Sequence, residues 1–488
     1  MNFKKILAIT LATLSVFGSV VAVNAQEVEE ITEEAVLTEE AELLAINEVT
    51  SGVFTYECDT SAKTAKVIAV SATAKGAAIP ATVKSGSTEC KIIAIADGVG
   101  SGIETLETVS FTNATNLVTI GENCFSYCPK LYSVAFNSSS KNSKITTIGN
   151  NSFYYCPKLT SVTNTAAQTK LSEIGSSVFG LTPYMDAQTD EFVMLGSVLV
   201  KYNGSKTDVV LPDGTLAVAD AFFGKGITSV DLGEDLVTIG NNAFYGCRSL
   251  KSIEIPASCT KVGDMAFAGC TSLKTVEYKG GLTSIGFCSF ANCSELVSFK
   301  NTGSKASKLA TIGECAFWND RKLYQLDAGV IVNVNVGSFW NCFGETPEDV
   351  ELYYYRIPET VRTIAEGGYG NLWFSYVTVP ASIEALASTA FGSTSGPTYV
   401  TVKGSKAEEY FKNSGYYYIN YGDMDADGGI QSYDLMDIAG LIAAGIKENL
   451  NYNDGAAVIA DIDGDNVITT KDLFDVFQSI KDEYEAEN

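Results

Sequence analysis

The sequence predicts a solenoid of stacked short-strand coils, with a β-strand cap before it and a small all-α module of two loop–helix units behind it. Three observations carry this expectation. A block of five side-chain positions recurs in at least six segments, and self-similarity of that kind marks repeat architectures. An acidic loop pattern appears twice near the C-terminus. The chain also has 488 residues, 46% hydrophobic and 19% charged, which is long for one ordinary domain and too apolar for a mainly disordered one.

The repeat is read directly from the residues. Ile120-Gly121 is followed by Phe125, Cys128 and Leu131, and Ile148-Gly149 by Phe153, Cys156 and Leu159. The order returns with Ile239-Gly240, Phe244, Cys247 and Leu250, then with Val262-Gly263, Phe267, Cys270 and Leu273. Ile285-Gly286, Phe290, Cys293 and Leu296 follow, and then Ile312-Gly313, Phe317 and Leu323. Phe244, Phe267 and Phe290 are spaced by 23 residues. Elsewhere the period stretches, as where the polar segment 137–143 loops out. Each unit also holds an alternating strand, as in Leu250-x-x-Ile253-x-Ile255 and Leu273-x-x-Val276-x-Tyr278, with every second side chain pointing inward. One coil cannot bury its own apolar face, so the coils must stack into a continuous core.

These residues resemble the BspA-like leucine-rich repeats of bacterial surface and secreted proteins, over about Ile92 to Val402. The resemblance includes a hairpin-like interruption, Phe192 to Gly204. It weakens late in the array, where Ile364 lacks its glycine and Tyr353-Tyr354-Tyr355 replaces the usual pattern. Residues 105–404 are assigned to the repeats and 50–104 to an N-terminal β cap and first coil. Residues 405–421 are assigned to a C-terminal cap and linker, with Tyr416, Tyr417, Tyr418 and Tyr421 closing the end of the solenoid.

Ahead of the cap, Lys4-Lys5 precede a mostly apolar run from Ile6 to Val23, and Val23-Asn24-Ala25 fits the small-residue rule for signal peptidase. Residues 1–25 therefore read as a signal peptide cleaved after Ala25; the alternative is an uncleaved anchor, since the run is nearly long enough to span a bilayer. Residues 26–49, rich in glutamate, read as a solvated acidic spacer.

Twelve cysteines in an exported protein would ordinarily suggest disulfides. Their positions argue otherwise, because Cys128, Cys156, Cys247, Cys270, Cys293 and Cys342 each stand three residues after a repeat phenylalanine. That is the signature of a row of small buried hydrophobes. Cys58 and Cys90, both in the cap, are the one pair expected to be worth testing for a bridge.

From residue 422 onward the composition changes. Asp423, Asp425, Asp427 and Asp434 occupy positions 1, 3, 5 and 12 of one loop, and Asp461, Asp463, Asp465 and Asp472 repeat them 38 residues on (423 to 461). Calcium favours several hard oxygens around a tight loop, with a backbone carbonyl at position 7, here Gly429 and Val467. Gly428 and Asn466 suit the sharp turn at position 6. Ile430 and Ile468 would pack inward, and apolar helices are expected from Leu435 to Ile446 and from Leu473 to Ile480. Two Ca²⁺ ions are expected.

Residues 422–488 resemble a dockerin, the duplicated loop–helix module that binds cohesin domains in cellulosome-type complexes. Aspartate at position 12 is the dockerin habit. The resemblance implies that Ser432 and Tyr433, with Thr470 and Lys471, help to read the cohesin of a scaffoldin. The two pairs differ, as do Ala439-Gly440 and Phe477-Gln478, which sets the copies apart.

Composition narrows the functional classes. A net charge of −25 repels nucleic acid phosphate. The chain has no histidine, so Ser-His-Asp and Cys-His activation and the usual zinc sites are excluded. The resulting expectation is an exported, non-catalytic binding or scaffold protein without stable membrane insertion. Its repeats would take up a protein or glycan, and its dockerin would hold it on a cell-surface, polysaccharide-degrading assembly. A host- or cell-surface adhesin is the alternative, and a glycoside hydrolase built on paired carboxylates is a third. Expected outward residues are Ser229, Asp231, Ser252, Glu254, Thr275, Glu277, Gln325 and Asp327. Trp318 and Trp340 follow repeat phenylalanines and are expected either to pack between coils or to offer a platform for sugar.

Overall fold

The computed structural model describes residues 46–323, 325–327, 329–342, 354–372, 374, 376–393 and 397–421, together with 459–460, 468–469, 471–476 and 478. Most coils contribute two strands, so two rows of strands run side by side along the array; among the described residues the first row falls into two sheets, broken at the hairpin that starts with Phe192, and the second into four. One ladder is built from two-residue strands of the Thr-Ile type, just before the repeat glycine: Thr238–Ile239 pairs in parallel with Lys261–Val262, which pairs with Ser284–Ile285 and so on to Ala385–Leu386. The other is built from the longer alternating strands, such as Ser252–Ile255, Thr275–Tyr278 and Ser298–Asn301, also parallel and in register. The sequence pattern pointed to the longer strands only.

The repeat glycines exist because adjacent coils touch there. A Cβ on Gly263 would lie 2.6 Å from the Asn241 amide nitrogen and 2.7 Å from the Gly240 carbonyl carbon. On Gly286 it would meet the Asp264 nitrogen at 2.7 Å and the Gly263 carbon at 2.8 Å. The residue after the glycine then clasps the next coil: Asn241 Oδ1 accepts from the Asp264 amide at 2.8 Å, and Asp264 Oδ1 from the Phe287 amide at 2.8 Å.

Beyond the glycine the backbone turns through left-handed residues, among them Asn242, Met265, Cys288 and Cys315, and the phenylalanine drops into the core. The rings form a continuous stack. Phe222, Phe244, Phe267 and Phe290 follow each other at 5.1 Å between centroids with planes within 7° of parallel, and the column continues through Phe317 and Phe339 to Tyr369. Beside it runs the expected cysteine row, fully buried at Cys128, Cys156, Cys247, Cys270, Cys293 and Cys342. Each thiol points at a carbonyl of the preceding coil: Cys247 to Phe222 O at 3.0 Å, Cys270 to Phe244 O at 3.1 Å and Cys293 to Phe267 O at 3.2 Å. A small apolar side chain with a weak donor fits this position better than serine or alanine.

The cap is all β, as expected. Ile46–Ser51, Phe54–Asp59 and Thr64–Val70 form antiparallel neighbours, and the last of these lies parallel to Thr88–Ile95, which starts the two-residue ladder. The spacer boundary needs correction, because residues 46–49 belong to the exposed edge strand and not to a solvated linker. Cys58 and Cys90 lie side by side as free, buried thiols. Phe192–Leu195 and Val198–Tyr202 form the expected hairpin. It stands between two runs of coils, which are tied across the break by hydrogen bonds from Ser176 Oγ to Asn241 O (2.9 Å) and from Asn242 Nδ2 to Ser176 Oγ (2.9 Å).

The far end also departs from the linker expectation. Lys406–Ser414 is a helix and Tyr418–Asn420 is a strand that pairs with Thr398–Thr401. Ser405 caps the helix by accepting from the Glu408 amide, and Gly415 ends it in the left-handed region at φ 75°. Glu408 reaches back to the Gly404 amide at 2.7 Å and forms an ion pair with Lys412 at 2.9 Å. Tyr416 packs against Tyr399 and Phe411, and Tyr421 is buried. Tyr417 is corrected: it is 63% exposed, in the connection between the helix and the strand Tyr418–Asn420.

Candidate binding surface

The longer strands set the geometry of the outer face. Their inward residues, such as Ile253, Ile255, Val276 and Tyr278, are buried, so alternation forces the intervening side chains outward. Ser229, Asp231, Ser252, Glu254 and Gln325 are exposed, and Thr275, Glu277 and Asp327 half-buried, as the sequence implied. Parallel pairing brings equivalent positions into rows, with Glu254 beside Glu277 and Glu277 beside Lys300.

Ion pairs link neighbouring coils on and beside these rows. Lys300 pairs with Glu277 at 3.3 Å, and Lys322 with Glu295 at 2.7 Å. Lys279 is clasped by Glu254 and, at 3.4 Å, by Glu234. Those carboxylates raise its pKa, Glu254 foremost. At the start of this stretch an open hollow of about 600 Å³ is lined by Asp208, Ser229, Asp231, Glu234 and Glu254. Hydrogen bonds from Ser229 and Thr228 hold the Asp208 carboxyl below the usual carboxylate range. The hollow therefore presents carboxylates and hydroxyls beside Pro256 and the exposed Val210, a mixed polar and apolar surface.

The two tryptophans differ. Trp318 is 44% exposed. Trp340 lies across the next coil, where a Cβ on Gly370 would meet its ring at 2.2 Å and one on Gly367 at 2.4 Å. Trp340 thus packs between coils, half-buried. Sequence reasoning missed another exposed aromatic set. Phe223 stacks on Tyr245 at 4.9 Å, and Tyr127, Tyr154 and Tyr155 touch one another at 5.7–6.3 Å. Their signal was available, since each follows a repeat phenylalanine by one or two positions.

Of the ten expected calcium ligands, Asp472 lies within the described residues; Asp423, Asp425, Asp427, Gly429, Asp434, Asp461, Asp463, Asp465 and Val467 lie outside them, as do Ser432, Tyr433, Thr470 and the signal peptide. Asp472 is fully buried, and its Oδ2 accepts from the Thr469 amide at 2.8 Å, starting a helix over 471–476. Lys471 is exposed and Ile468 buried. A buried, acceptor-only carboxylate at a helix start, preceded in sequence by three aspartates at alternate positions, is a hard-oxygen donor set of the kind calcium takes. Among the described residues no three acidic or thiol groups converge as a metal site, and no helix is long and apolar enough to cross a membrane.

Comparison with known proteins agrees with the repeat geometry. Residues 83–189 and 216–345 match the BspA type leucine rich repeat region, in 6 copies. The repeats within those residues are therefore of the BspA type. Among solved structures it is similar to a leucine rich cell surface protein from Faecalibacterium prausnitzii A2-165, with 21% identity, 74% of this chain and 96% of that one covered and a TM-score of 0.30. A leucine-rich repeat protein from Bacteroides ovatus is similar at 17% identity, covering 76% of this chain and 99% of that one, with a TM-score of 0.33. The pneumococcal vaccine antigen PcpA is similar at 12% identity, with 77% and 98% covered and a TM-score of 0.27. No curated protein matches the chain.

Proposed function

We propose that this protein is an exported, non-catalytic binding component whose repeat array holds a protein or glycan and whose tail docks it onto a larger surface assembly. The observation that carries the first half is the set of outward residues on successive long strands, Ser229 and Asp231 on one and Ser252, Glu254, Thr275 and Glu277 on the next two, which pair in register over a buried core. Extended solenoid faces of this kind serve recognition. A chain without histidine has few routes to catalysis, and the repeats occupy most of its length.

The docking half rests on the paired aspartate loops and their likeness to dockerins. Asp423, Asp425, Asp427 and Asp434 would hold one Ca²⁺ with the Gly429 carbonyl, and Asp461, Asp463, Asp465 and Asp472 a second with that of Val467. Bound calcium would supply the charge that draws each set of carboxylates together, coupling its binding to the folding of the tail. Ser432, Tyr433, Thr470 and Lys471 would then face a cohesin of a scaffoldin, placing the protein on a cell-surface cellulosome-type complex.

The test uses the full chain and a D423A/D461A variant, each offered to immobilised cohesins with calcium and with chelator. Retention by a cohesin in calcium alone, lost in the variant, is expected; equal retention in chelator overturns the docking role. A glycan and protein array probed with the same chain tests the repeat face. Binding to cells with none to plant fibre would favour the adhesin, and release of reducing sugar would establish a hydrolase instead.

A further inference from the structure

Three pairs of cysteines bring their thiols together: Cys58 with Cys90, Cys128 with Cys156, and Cys288 with Cys315. The first two pairs are completely shielded from solvent. The third is not. Of the chain's twelve cysteines, Cys315 is the one that is not buried, and Cys288 is 9% exposed at its side.

Cys288 and Cys315 do not belong to the buried thiol row. They occupy the position two residues after the repeat glycine, in adjacent coils, where Asn123, Asn151 and Asn242 stand elsewhere. Both adopt left-handed backbone, at φ 49° and 54°, so their Cα–Cβ bonds leave the coil in the same sense. The coils stay in register up to this point: Ile285 pairs with Ile312 three residues earlier, and the Cys288 amide donates to Glu314 O at 2.9 Å. Neighbouring strands are about 4.8 Å apart, which lies inside the roughly 4.4–6.8 Å between Cα atoms that a disulfide accepts. On the next coil the equivalent residue is Gly337, whose missing Cβ would sit 3.2 Å from the Cys315 sulfur. A larger residue there would crowd the thiol.

We propose that Cys288 and Cys315 form a redox-closable staple between two coils, oxidised by exchange with an external disulfide while the other ten thiols stay reduced. The Cys315 thiolate attacks one sulfur of a small disulfide such as glutathione disulfide. That S–S bond breaks, a mixed disulfide forms on Cys315, and the released thiolate takes up a proton. The Cys288 thiolate then attacks the Cys315 sulfur and displaces the second glutathione, which is protonated in turn. The pair loses two electrons and two protons, and one glutathione disulfide becomes two thiols.

The order of attack follows from the surroundings. Burial, the neighbouring Cys315 and the nearby Asp264 and Glu314 push Cys288 up to about 12. Cys315 is raised by burial and by Glu314, but a hydrogen bond from Cys288 offsets part of that rise. Cys315 is therefore the better initial nucleophile, and the exchange quickens as pH rises. The staple would fasten the coil that carries Asp320, the one coil among its neighbours with a carboxylate in the thiol row.

The experiment treats the folded full chain with glutathione disulfide at pH 7.5 to 9, blocks remaining thiols under denaturing conditions, and maps peptides without reduction. The expected product is a single Cys288–Cys315 link two mass units lighter than the dithiol. Alkylation of the folded, reduced chain should label Cys315 about 10-fold or more faster than any buried cysteine. In C288S, still folded by circular dichroism, reaction should stop at a glutathione adduct on Cys315; in C315S neither adduct nor link should form. A persistent glutathione adduct on Cys315 in the unsubstituted chain, or prior closure of Cys58–Cys90 or Cys128–Cys156, would overturn the staple.

Discussion

Asp320 Oδ1 accepts a hydrogen bond from the Cys293 amide at 2.7 Å, in the place where neighbouring coils carry a thiol. Asp320 stands three residues after Phe317, so it is the array's exception in the row Cys247, Cys270, Cys293, Cys342. Its other oxygen, Oδ2, is buried without a partner, and burial drives its carboxyl well above the ordinary value of 3.8.

This exception sets a pH dependence. A carboxyl whose folded pKa is raised stabilises the fold relative to its ionised form below the ordinary carboxylate value, and that contribution is lost as pH rises above it. Replacing Asp320 with Cys restores the repeat residue and a donor for the preceding coil. D320C is expected to raise stability at pH 7 by about 1–3 kcal/mol, the cost of one poorly satisfied buried polar group. Thermal melts at pH 4 and pH 7 should show the gain to be larger at pH 7; a D320C melt below that of the parent would refute it.

The glycine rule gives a paired test. Gly286→Ala places a methyl against backbone of the preceding coil, which cannot move without breaking the ladder, and is expected to cost about 1–3 kcal/mol. Gly226 has open space where its Cβ would be, so Gly226→Ala should leave a urea melt unchanged or slightly improved. Equal losses in both would show that coil spacing does not fix the glycine.

Phe267 lies between Phe244 and Phe290 at 5.1 Å from each. Phe267→Ala should cost about 3–5 kcal/mol. Because a solenoid is held by nearest-neighbour contacts, hydrogen exchange should quicken most in the coils on either side. Uniform acceleration from the cap to residue 421 would contradict that locality.

The capping helix predicts acid sensitivity at the C-terminal end of the array. Burial alone would raise Glu408, but the Gly404 amide, Lys412 and Asn420 together hold its carboxyl below the usual 4.5. Its contribution is therefore present above that value and lost as pH falls below it. Ser405→Ala should cost about 1 kcal/mol, and Glu408→Gln should flatten the loss of protection around 406–420 in acid, measured by hydrogen exchange.

Much of this was legible in the residues. Phe, Cys and Leu recurred in step because each fills one layer of every coil, and periodic burial leaves a periodic sequence. The second ladder was hidden because strands of two residues, such as Thr238–Ile239, leave no alternation to detect. The capping helix was overlooked although Ser405-Lys406-Ala407-Glu408 carries the capping-box spacing; nine residues between aromatic clusters gave little apolar period. The outward rows followed from strand parity alone; Phe223 and Tyr245 were legible from their place after a phenylalanine, but their stacking on each other depends on neighbouring coils.

The two ladders fix where each turn of the chain begins and ends, yet they leave the stretch between them free in length, as the loop over 137–143 and the 23-residue turns both attest. New segments can accordingly be spliced in at one margin of the molecule without altering the rungs above or below. Such a scaffold could display grafted peptides at chosen heights, and its reach could be lengthened one rung at a time.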